Sequence, residues 1–230
     1  MSDFLIITPD FGGRANATKL VTSCEYHGLE LAFYGQAKWF RDYRQVKIDS
    51  ILEYLPNVKH KYVMFTDAWD SWILKNNLFN VYKCNYWNRV VVSGNRDHYP
   101  ATDLYDMTKF PEAPTSLRHI CSSQFIGPRE KIIELLTVMK ETYKGTTDQE
   151  GWHLLYVNRM VDMVIDHQAR LFLNMTNVNQ EEVDESWVYQ ETKIKPCSIH
   201  FSGPKGGDPN AQKMEFFYEK WRRENIAHLE

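Results

Sequence analysis

Two aspartates three positions apart close a short apolar segment, and they are the clearest candidates for chemistry in the sequence. Asp67 and Asp70 follow residues 62–65, a run of aromatic, β-branched and other apolar side chains of strand length. Because the run lacks the polar alternation of a strand with one wet face, it predicts a strand covered on both faces, as in α/β folds. Ligands of such folds bind beyond the carboxyl ends of the strands, which is where these aspartates fall.

The aspartate pair is compatible with a divalent-metal site. Two carboxylates held together by a turn repel each other unless a cation lies between them, and hard oxygen ligands suit magnesium, manganese or calcium. The alternative is that Asp67 and Asp70 cap a turn or the start of a helix, roles that aspartate often fills. Their spacing alone leaves both interpretations open.

The composition predicts one large domain. The chain has 230 residues, of which 43% are hydrophobic and 25% are charged, enough for a sizeable core. We expect a single domain over residues 1–228, because Leu229 and Glu230 resemble the remnant of a purification tag. No apolar run resembles a signal peptide or approaches membrane-spanning length, so we expect a cytoplasmic protein without membrane contact. A net charge of -3 gives no global attraction for nucleic acid.

Strand and helix patterns alternate along the chain, which predicts an α/β fold with a mostly parallel central sheet flanked by helices. The predicted strands are residues 4–8, 29–34, 62–65, 89–93, 164–166, 171–173 and 198–201. The predicted helices are residues 16–27, 48–55, 130–143, 152–164 and 214–223. We expect residues 75–88 to form a mostly polar, aromatic-rich connector and residues 180–191 a solvated acidic loop. Residues 101–116 contain two prolines and cannot be regular throughout, so they are a candidate lid or acceptor loop.

Several polar residues follow these strands or precede these helices. Arg96, Asp97 and His98 lie after the strand at 89–93 and are candidates for a pocket, although surface ion pairs and turns use the same residue types. Thr147 or Asp148 is placed to cap the next helix, and the Asp148 carboxylate could instead face a substrate. His200, before a glycine-rich turn, could complete a metal site, although a lone histidine is more often structural.

One stretch combines basic and aromatic side chains. Residues 38–47 contain four basic residues interleaved with three aromatic ones, just before a predicted helix. Such a stretch could bind phosphates of a nucleotide or of a longer polyanion. A solvated loop and helix face would have the same composition, so the pattern does not choose between the two.

Six segments, taken in sequence order, carry a resemblance to a known family. They are residues 65–70, 91–100, 122–127, 148–149, 166–172 and 200–205. In these segments the chain resembles the glycosyltransferase domain of procollagen lysyl hydroxylases and its stand-alone relatives in viruses and microbes. The resemblance spans most of the chain, and it implies a single GT-A type, Rossmann-like domain and an enzyme that transfers a hexosyl or pentosyl group.

The resemblance also implies a metal site. In it, Asp67, Asp70 and His200 bind the ion that holds the diphosphate of a UDP-sugar donor. A mixed carboxylate and imidazole set favours Mn²⁺ over Mg²⁺, because nitrogen ligands suit transition metals better. Trp69 stands where the family has an aromatic residue that stacks on uracil.

The remaining implied residues divide between donor and acceptor. Asp148 and Gln149 match the acidic motif beside the transferred sugar, and Arg96 on a neighbouring loop is a third catalytic candidate. The other residues implied on the nucleotide side are Thr8, Lys47, Phe65, Gly203 and Lys205. Two segments depart from the family pattern: Cys-Ser-Ser-Gln at 121–124 replaces Asn-Ser-Gly-Gly, and His-Phe-Ser-Gly at 200–203 replaces His-Gly-Asn-Gly. Both touch the sugar or acceptor side, so the sugar or the acceptor is expected to differ.

The resemblance implies transfer to an acceptor hydroxyl with retention of anomeric configuration. Because the sequence has no signal and no hydroxylase domain, we expect an acceptor other than collagen, and the viral relatives favour a hydroxymethylated pyrimidine in phage-type DNA. A protein hydroxyl or a small glycoside is an alternative. Two other classes remain open: a non-catalytic nucleotide-sugar or DNA-binding module, and a metal-dependent nucleotidyltransferase or phosphatase. The sequence does not indicate an oligomeric state.

Overall fold

The chain alternates between strands and helices, and the computed structural model describes residues 3–10, 17–36, 43–100, 103–144, 146–202 and 209–226. The strands are β1 (Phe4–Asp10), β2 (Leu31–Gln36), β3 (Tyr62–Thr66), β4 (Ser71–Ile73), β5 (Val90–Asn95), β6 (His119–Pro128), β7 (Met163–Asp166), β8 (Phe172–Asn174) and β9 (Ser198–His200). The helices are α1 (Thr18–His27), α2 (Tyr43–Tyr54), α3 (Leu78–Tyr86), α4 (Arg129–Thr142), α5 (Asp148–Val157) and α6 (Pro209–Asn225).

The central sheet has six strands in the order β2-β1-β3-β6-β5-β7. Within it, β6 runs antiparallel to both neighbours and the other five strands point the same way. The predicted mostly parallel α/β sheet is therefore confirmed. All residues of β3 and β5 are buried, as expected for strands whose apolar runs lack polar alternation.

Helices cover both faces of this sheet, and each face has its own apolar core. On one face, side chains of α2, α4 and α5 pack on the sheet, and the stacked rings of Phe65 and Phe125 lie 4.8 Å apart at its centre. On the other face, Leu20 of α1 and Leu78 of α3 pack against Ile6 and Met64. The two cores fix the strands rigidly, so their carboxyl ends form a stable edge for a site.

A second sheet of three strands, in the order β4-β9-β8, lies against α6. Its middle strand pairs antiparallel with β4 and parallel with β8, so that His200 is opposite Ser71 on one side and Asn174 on the other. Because β4 follows β3 after only a short turn, this pairing brings the end of β9 to the end of β3.

The longest helix of the described residues, α6, has 17 residues and turns Phe217 and Trp221 toward the second sheet. Its remaining surface is mostly polar. Among the described residues, no helix is both long and apolar enough to cross a membrane.

Two stretches differ from the sequence predictions. The expected connector at 75–88 contains α3, because Leu78 and Tyr82, one turn apart, are buried although most of the stretch is polar. The expected solvated loop at 180–191 contains two buried aromatic residues, Trp187 and Tyr189, and Trp187 packs on Phe217 with ring centroids 5.6 Å apart. The buried aromatic residues of both stretches pack against segments that are distant in sequence. Local composition does not indicate such partners.

Helix boundaries also differ. The fifth helix begins at Asp148 and ends at Val157, whereas the apolar spacing predicted residues 152–164. Its first turn is polar and is stabilised by a helix cap. A prediction from the spacing of apolar residues therefore misses this turn. The second helix begins at Tyr43, before the predicted start at residue 48.

Two glycines provide a test of how tightly the sheet is packed. A Cβ added to Gly94 in β5 would lie 2.9 Å from Leu117 Cβ, 3.0 Å from the Leu117 carbonyl oxygen and 3.1 Å from the Asp166 carbonyl oxygen. A Cβ added to Gly151 in α5 would lie 2.7 Å from Cγ and Sδ of Met139, a flexible side chain that can move aside.

We expect Gly94→Ala to lower the free energy of unfolding by about 2 kcal/mol, because backbone atoms cannot yield to the new methyl group. Gly151→Ala should change it by less than about 1 kcal/mol, because the gain in helix propensity offsets the displacement of Met139. Urea denaturation followed by circular dichroism measures both values. Equal losses in the two variants would contradict the description of Gly94 as enclosed by backbone.

Candidate active site

Asp67, Asp70 and His200 converge at the carboxyl end of β3. One potential ligand atom from each residue lies within 4.8 Å of the others. Asp67 directly follows β3, Asp70 directly precedes β4, and His200 ends β9, with its Nε2 3.4 Å from Asp70 Oδ1. The structure thus brings together the three residues that the sequence analysis grouped as metal ligands.

Hydroxyl groups hold the turn that carries both aspartates. Thr66 Oγ1 and Ser71 Oγ, on either side of the turn, lie 2.8 Å apart, and Ser71 Oγ also donates to the Asp67 carbonyl oxygen. Thr8 Oγ1 donates to the Thr66 carbonyl oxygen at 2.8 Å, which ties the end of β3 to β1. The Asp67 amide donates to the Ser123 carbonyl oxygen of β6 at 3.0 Å. The backbone of the turn is therefore fixed from both neighbouring strands.

The imidazole of His200 is oriented by partners on its far side. Its Nδ1 lies 3.0 Å from Ser123 Oγ and 3.4 Å from Asn174 Oδ1, and the residue is almost fully buried. When Nδ1 donates its proton to these oxygens, Nε2 faces the carboxylates and can bind a cation that displaces the proton on Nε2. Metal-binding histidines are commonly held in this way, with one nitrogen bonded to the protein and the other directed at the ion. The donor set therefore fits a divalent transition metal such as Mn²⁺.

The charges of this cluster shift one another's pKa values. Burial lowers the pKa of His200, but the carboxylate of Asp70 and the side chain of Cys121 together raise it, so that it lies well above the usual value. Burial raises the pKa of Asp67, the negative charge of Asp70 raises it further, and Lys47 opposes both effects. These opposed shifts indicate a site in which carboxylates are crowded and need positive charge nearby.

Lys47 links Asp67 of the three-residue cluster to Asp148 of α5. Its Nζ lies 3.2 Å from Asp67 Oδ1 and 3.0 Å from Asp148 Oδ2, and it donates to the Ser122 carbonyl oxygen at 3.4 Å. Burial lowers the pKa of Lys47, but the carboxylates of Asp148 and Asp67 raise it above the ordinary value. The ammonium also lies 4.6 Å from the ring centroid of the fully buried Phe65. The contribution of Phe65 is thus to support Lys47 from inside the core.

Asp148 and Gln149 occupy the first turn of α5, beside the beginning of β6. Ser122 Oγ donates to Asp148 Oδ2 at 2.9 Å, and the Ser122 amide donates to Gln149 Oε1 at 2.8 Å. A carboxylate in the first turn is also favoured by the positive end of the helix dipole. Both side chains are therefore held against β6.

The helix cap is Thr147, one of the two residues proposed from the sequence. Its Oγ1 accepts from the Glu150 amide at 3.0 Å, and Glu150 Oε2 accepts from the Thr147 amide at 2.7 Å, which completes a capping box. Asp148 is therefore not needed as the cap and is available for another role.

Arg96 lies in a different network. Its Nε donates to Ser116 Oγ at 2.9 Å, and its terminal nitrogens donate to Glu182, to Tyr189 Oη at 2.7 Å and to the Asn177 carbonyl oxygen at 2.9 Å. The two bonds to Glu182 bring the total to five, which accounts for every N–H of the guanidinium. These contacts favour a structural role, in which Arg96 anchors the segment 177–191. The catalytic role remains a prediction.

The other predicted residues are placed as follows. Trp69 lies in the turn between the two aspartates and is 39% exposed, so its ring is accessible. Gly203 and Lys205 lie outside the described residues, as do residues 38–42 of the basic and aromatic stretch. Their predicted contacts with phosphate stay predictions.

Sequence reasoning did not assign roles to Ser122, Ser123 and Asn174. Ser122 and Ser123 lie in a segment that carries the family resemblance and also departs from its pattern, and in the structure they contact Asp148 and His200. Asn174 ends β8 opposite His200, and its position at the end of a predicted strand was the available signal. Only the pairing of β8 with β9 shows its partner.

The comparison with protein families decides the classification. The sequence pattern of the PLOD GT domain matches residues 10–205, which is most of the chain. The chain belongs to the PLOD GT domain family. It is therefore a glycosyltransferase, as the sequence resemblance implied.

Comparison with solved structures supports the same fold, while a search of curated proteins finds no match. A glycosyltransferase involved in the glycosylation of the major capsid of PBCV-1 is similar, with a TM-score of 0.54 and 12% sequence identity. The similarity covers 94% of this chain and 98% of that chain. At this identity the likeness concerns the fold, and the predicted GT-A fold is confirmed.

The cap of α5 can be tested separately from the chemistry. We expect Thr147→Ala to lower the free energy of unfolding by about 1 kcal/mol, because the Glu150 amide loses its acceptor. Thr147→Ser keeps a hydroxyl at the same position and should lose much less. Urea denaturation of the two variants makes the comparison, and equal stability of Thr147→Ala and Thr147→Ser would show that the capping box does not form in solution.

Proposed function

We propose that this glycosyltransferase transfers a sugar from a UDP-sugar to an acceptor hydroxyl, with a divalent metal ion held by Asp67, Asp70 and His200. The observation that carries the proposal is the convergence of one carboxylate or imidazole atom from each residue within 4.8 Å. When bound, such an ion would act as a Lewis acid toward the departing diphosphate. The mixed ligand set favours Mn²⁺, with Mg²⁺ as the alternative.

Residues around the cluster supply the donor side of the site. The exposed ring of Trp69, between the two aspartates, offers a face on which uracil can stack, an interaction worth about 1 to 3 kcal/mol per base. Lys47 provides a fixed positive charge next to Asp67. The family resemblance adds Gly203 and Lys205 near the phosphates and Thr8 near the nucleoside. The hydroxyl of Thr8 donates to the Thr66 carbonyl oxygen, so Thr8 holds the end of β3 that precedes Asp67.

Asp148 and Gln149 are the proposed catalytic residues. Two groups, Lys47 Nζ and Ser122 Oγ, hold Asp148 through Oδ2. A carboxylate fixed through one oxygen can use the other to orient the acceptor hydroxyl or to stabilise positive charge on the sugar ring. We propose transfer with retention of configuration, as the family resemblance implies.

The proposed acceptor is a hydroxymethylated pyrimidine in DNA, and a protein hydroxyl is the second candidate. The sequence support for DNA is the basic and aromatic stretch 38–47, in which Lys47 contacts Asp67 and Asp148 rather than facing outward. The support for a protein acceptor is the similar glycosyltransferase, which is involved in glycosylation of a viral capsid. A base in duplex DNA would have to flip out to reach the donor.

The donor and the metal can be tested together. The protein is incubated with Mn²⁺ and a panel of UDP-sugars, and release of UDP is followed with and without a chelator. We expect His200→Ala to reduce UDP release by about 100-fold or more, because it removes a metal ligand. The matched control is His60→Ala, whose imidazole pairs with Glu30 at 3.0 Å before the start of β3 and should retain wild-type rates.

Three outcomes of this experiment would contradict the proposal. Release of pyrophosphate or inorganic phosphate instead of UDP would indicate a nucleotidyltransferase or a phosphatase. Binding of UDP-sugar without turnover in the presence of any acceptor would indicate a binding module. Wild-type turnover of His200→Ala would show that the metal cluster is not used. Parallel reactions with hydroxymethylated DNA, unmodified DNA and serine- or hydroxylysine-containing peptides identify the acceptor class by transfer of labelled sugar.

A further inference from the structure

A line of hydrogen bonds leads away from Gln149 to the segment between β5 and β6, whose described residues are 96–100 and 103–118. Gln149 Nε2 lies 3.3 Å from His153 Nε2, one turn further along α5. On the other side of the imidazole, His153 Nδ1 lies 2.5 Å from Tyr105 Oη, which in turn lies 2.6 Å from His98 Nε2. His153 is fully buried, and the proposed reaction does not use it directly.

The direction of these hydrogen bonds follows from one backbone amide. The Ser122 amide can only donate, so the atom of Gln149 that faces it is the oxygen, and the amide nitrogen of Gln149 is turned toward His153. One hydrogen of that nitrogen is donated to the Ile120 carbonyl oxygen. The second hydrogen points at His153 Nε2, which accepts it if this ring nitrogen carries no proton.

The rest of the line is then determined. A neutral His153 without a proton on Nε2 carries it on Nδ1 and donates it to Tyr105 Oη, so the Tyr105 hydroxyl donates to His98 Nε2. A proton on His153 Nε2 could reach the Ile120 carbonyl oxygen, also at 3.3 Å, but it would then set two N–H groups against each other across the contact with Gln149.

The surroundings keep His153 uncharged. Burial lowers the pKa of His153 to about 3, and the neighbouring His98 and His119 lower it as well, while the Ile120 carbonyl opposes them. The ring of His98 stacks at 5.3 Å between centroids, and Phe110 meets it edge-on at the same distance. Tyr105, whose own pKa is raised by burial, completes the enclosure. A neutral imidazole can accept from Gln149, whereas a charged one could not.

We propose that His153 is a positioning residue, which holds the Gln149 amide in the orientation that fixes Ser122 and thereby Asp148. If the Gln149 amide turned over, its oxygen would face the Ile120 carbonyl oxygen and its nitrogen would face the Ser122 amide, and both contacts would be lost. His153 accepts from the same nitrogen and adds a third contact to the two backbone contacts that favour this orientation. Tyr105 and His98 belong to the segment between β5 and β6, so their hydrogen bonds connect that segment to His153. This inference rests on the catalytic roles proposed for Asp148 and Gln149.

The first test is spectroscopic and does not depend on activity. Protein labelled with ¹⁵N in its histidine rings is examined by long-range ¹H–¹⁵N correlation, and the His153 signals are assigned by their absence in His153→Gln. We expect a neutral ring between pH 6 and pH 8 with its proton on Nδ1. A proton on Nε2, or protonation of both nitrogens in this range, would overturn the proposal.

The second test separates positioning from structural support. We expect His153→Phe to lower kcat about tenfold while the KM for UDP-sugar changes less than about twofold. His153→Gln, whose side-chain oxygen can accept from Gln149, should recover part of that loss. Tyr105→Phe keeps the ring and removes one oxygen atom, and it should lower kcat about threefold. His60→Ala is the control for loss of a histidine remote from the site.

The outcomes distinguish this inference from the proposed function. Unchanged kcat in His153→Phe and Tyr105→Phe would overturn the positioning role. A loss of kcat accompanied by weaker UDP binding and a lower melting temperature would also overturn it, because it would indicate a general structural defect. If His153→Phe does not fold, Tyr105→Phe and the ring spectrum decide. Absence of UDP release from the wild-type protein would instead refute the proposed function, and the proton position on His153 would still be measured.

Discussion

Repulsion between carboxylates is the constraint on which the rest of this site depends. Asp67, Asp70 and Asp148 meet at one edge of the central sheet, where partial burial strengthens the interaction between like charges. Two basic side chains, a lysine and a histidine, offset this repulsion. Lys47 lies between Asp67 and Asp148, and His200 lies beside Asp70. A divalent cation bound to Asp67 and Asp70 would offset it further.

This requirement links elements that are distant in sequence. Asp67 and Asp70 come from the end of β3, Lys47 from α2, Asp148 from α5 and His200 from β9. The second sheet brings His200 to the aspartates, because β4 directly follows the turn that carries them and pairs with β9. Phe201 donates its amide to the Asp70 carbonyl oxygen at 2.8 Å, directly after His200. The position of the histidine is thus set by backbone pairing with the turn that it serves.

The sequence predicts local features well and long-range partners poorly. The buried strand β3 and its two aspartates are visible because a continuous apolar run ending in acidic residues is a local pattern. His200 joined them only through the family resemblance, since no local pattern separates a ligand histidine from a structural one. The contacts of Arg96 with Glu182 and Tyr189 were out of reach for the same reason, because residues 180–191 read as a solvated acidic loop. The antiparallel direction of β6 likewise depends on its pairing with β3 and β5.

The central claim is that Asp67, Asp70 and His200 together bind a divalent metal ion, and anomalous diffraction tests it most directly. Crystals grown with Mn²⁺ and UDP are measured on both sides of the manganese absorption edge. We expect an anomalous peak within direct coordination distance, about 2.0 to 2.4 Å, of one atom from each of the three residues. Bound UDP with no manganese peak at this position, or a peak coordinated by other residues, would contradict it.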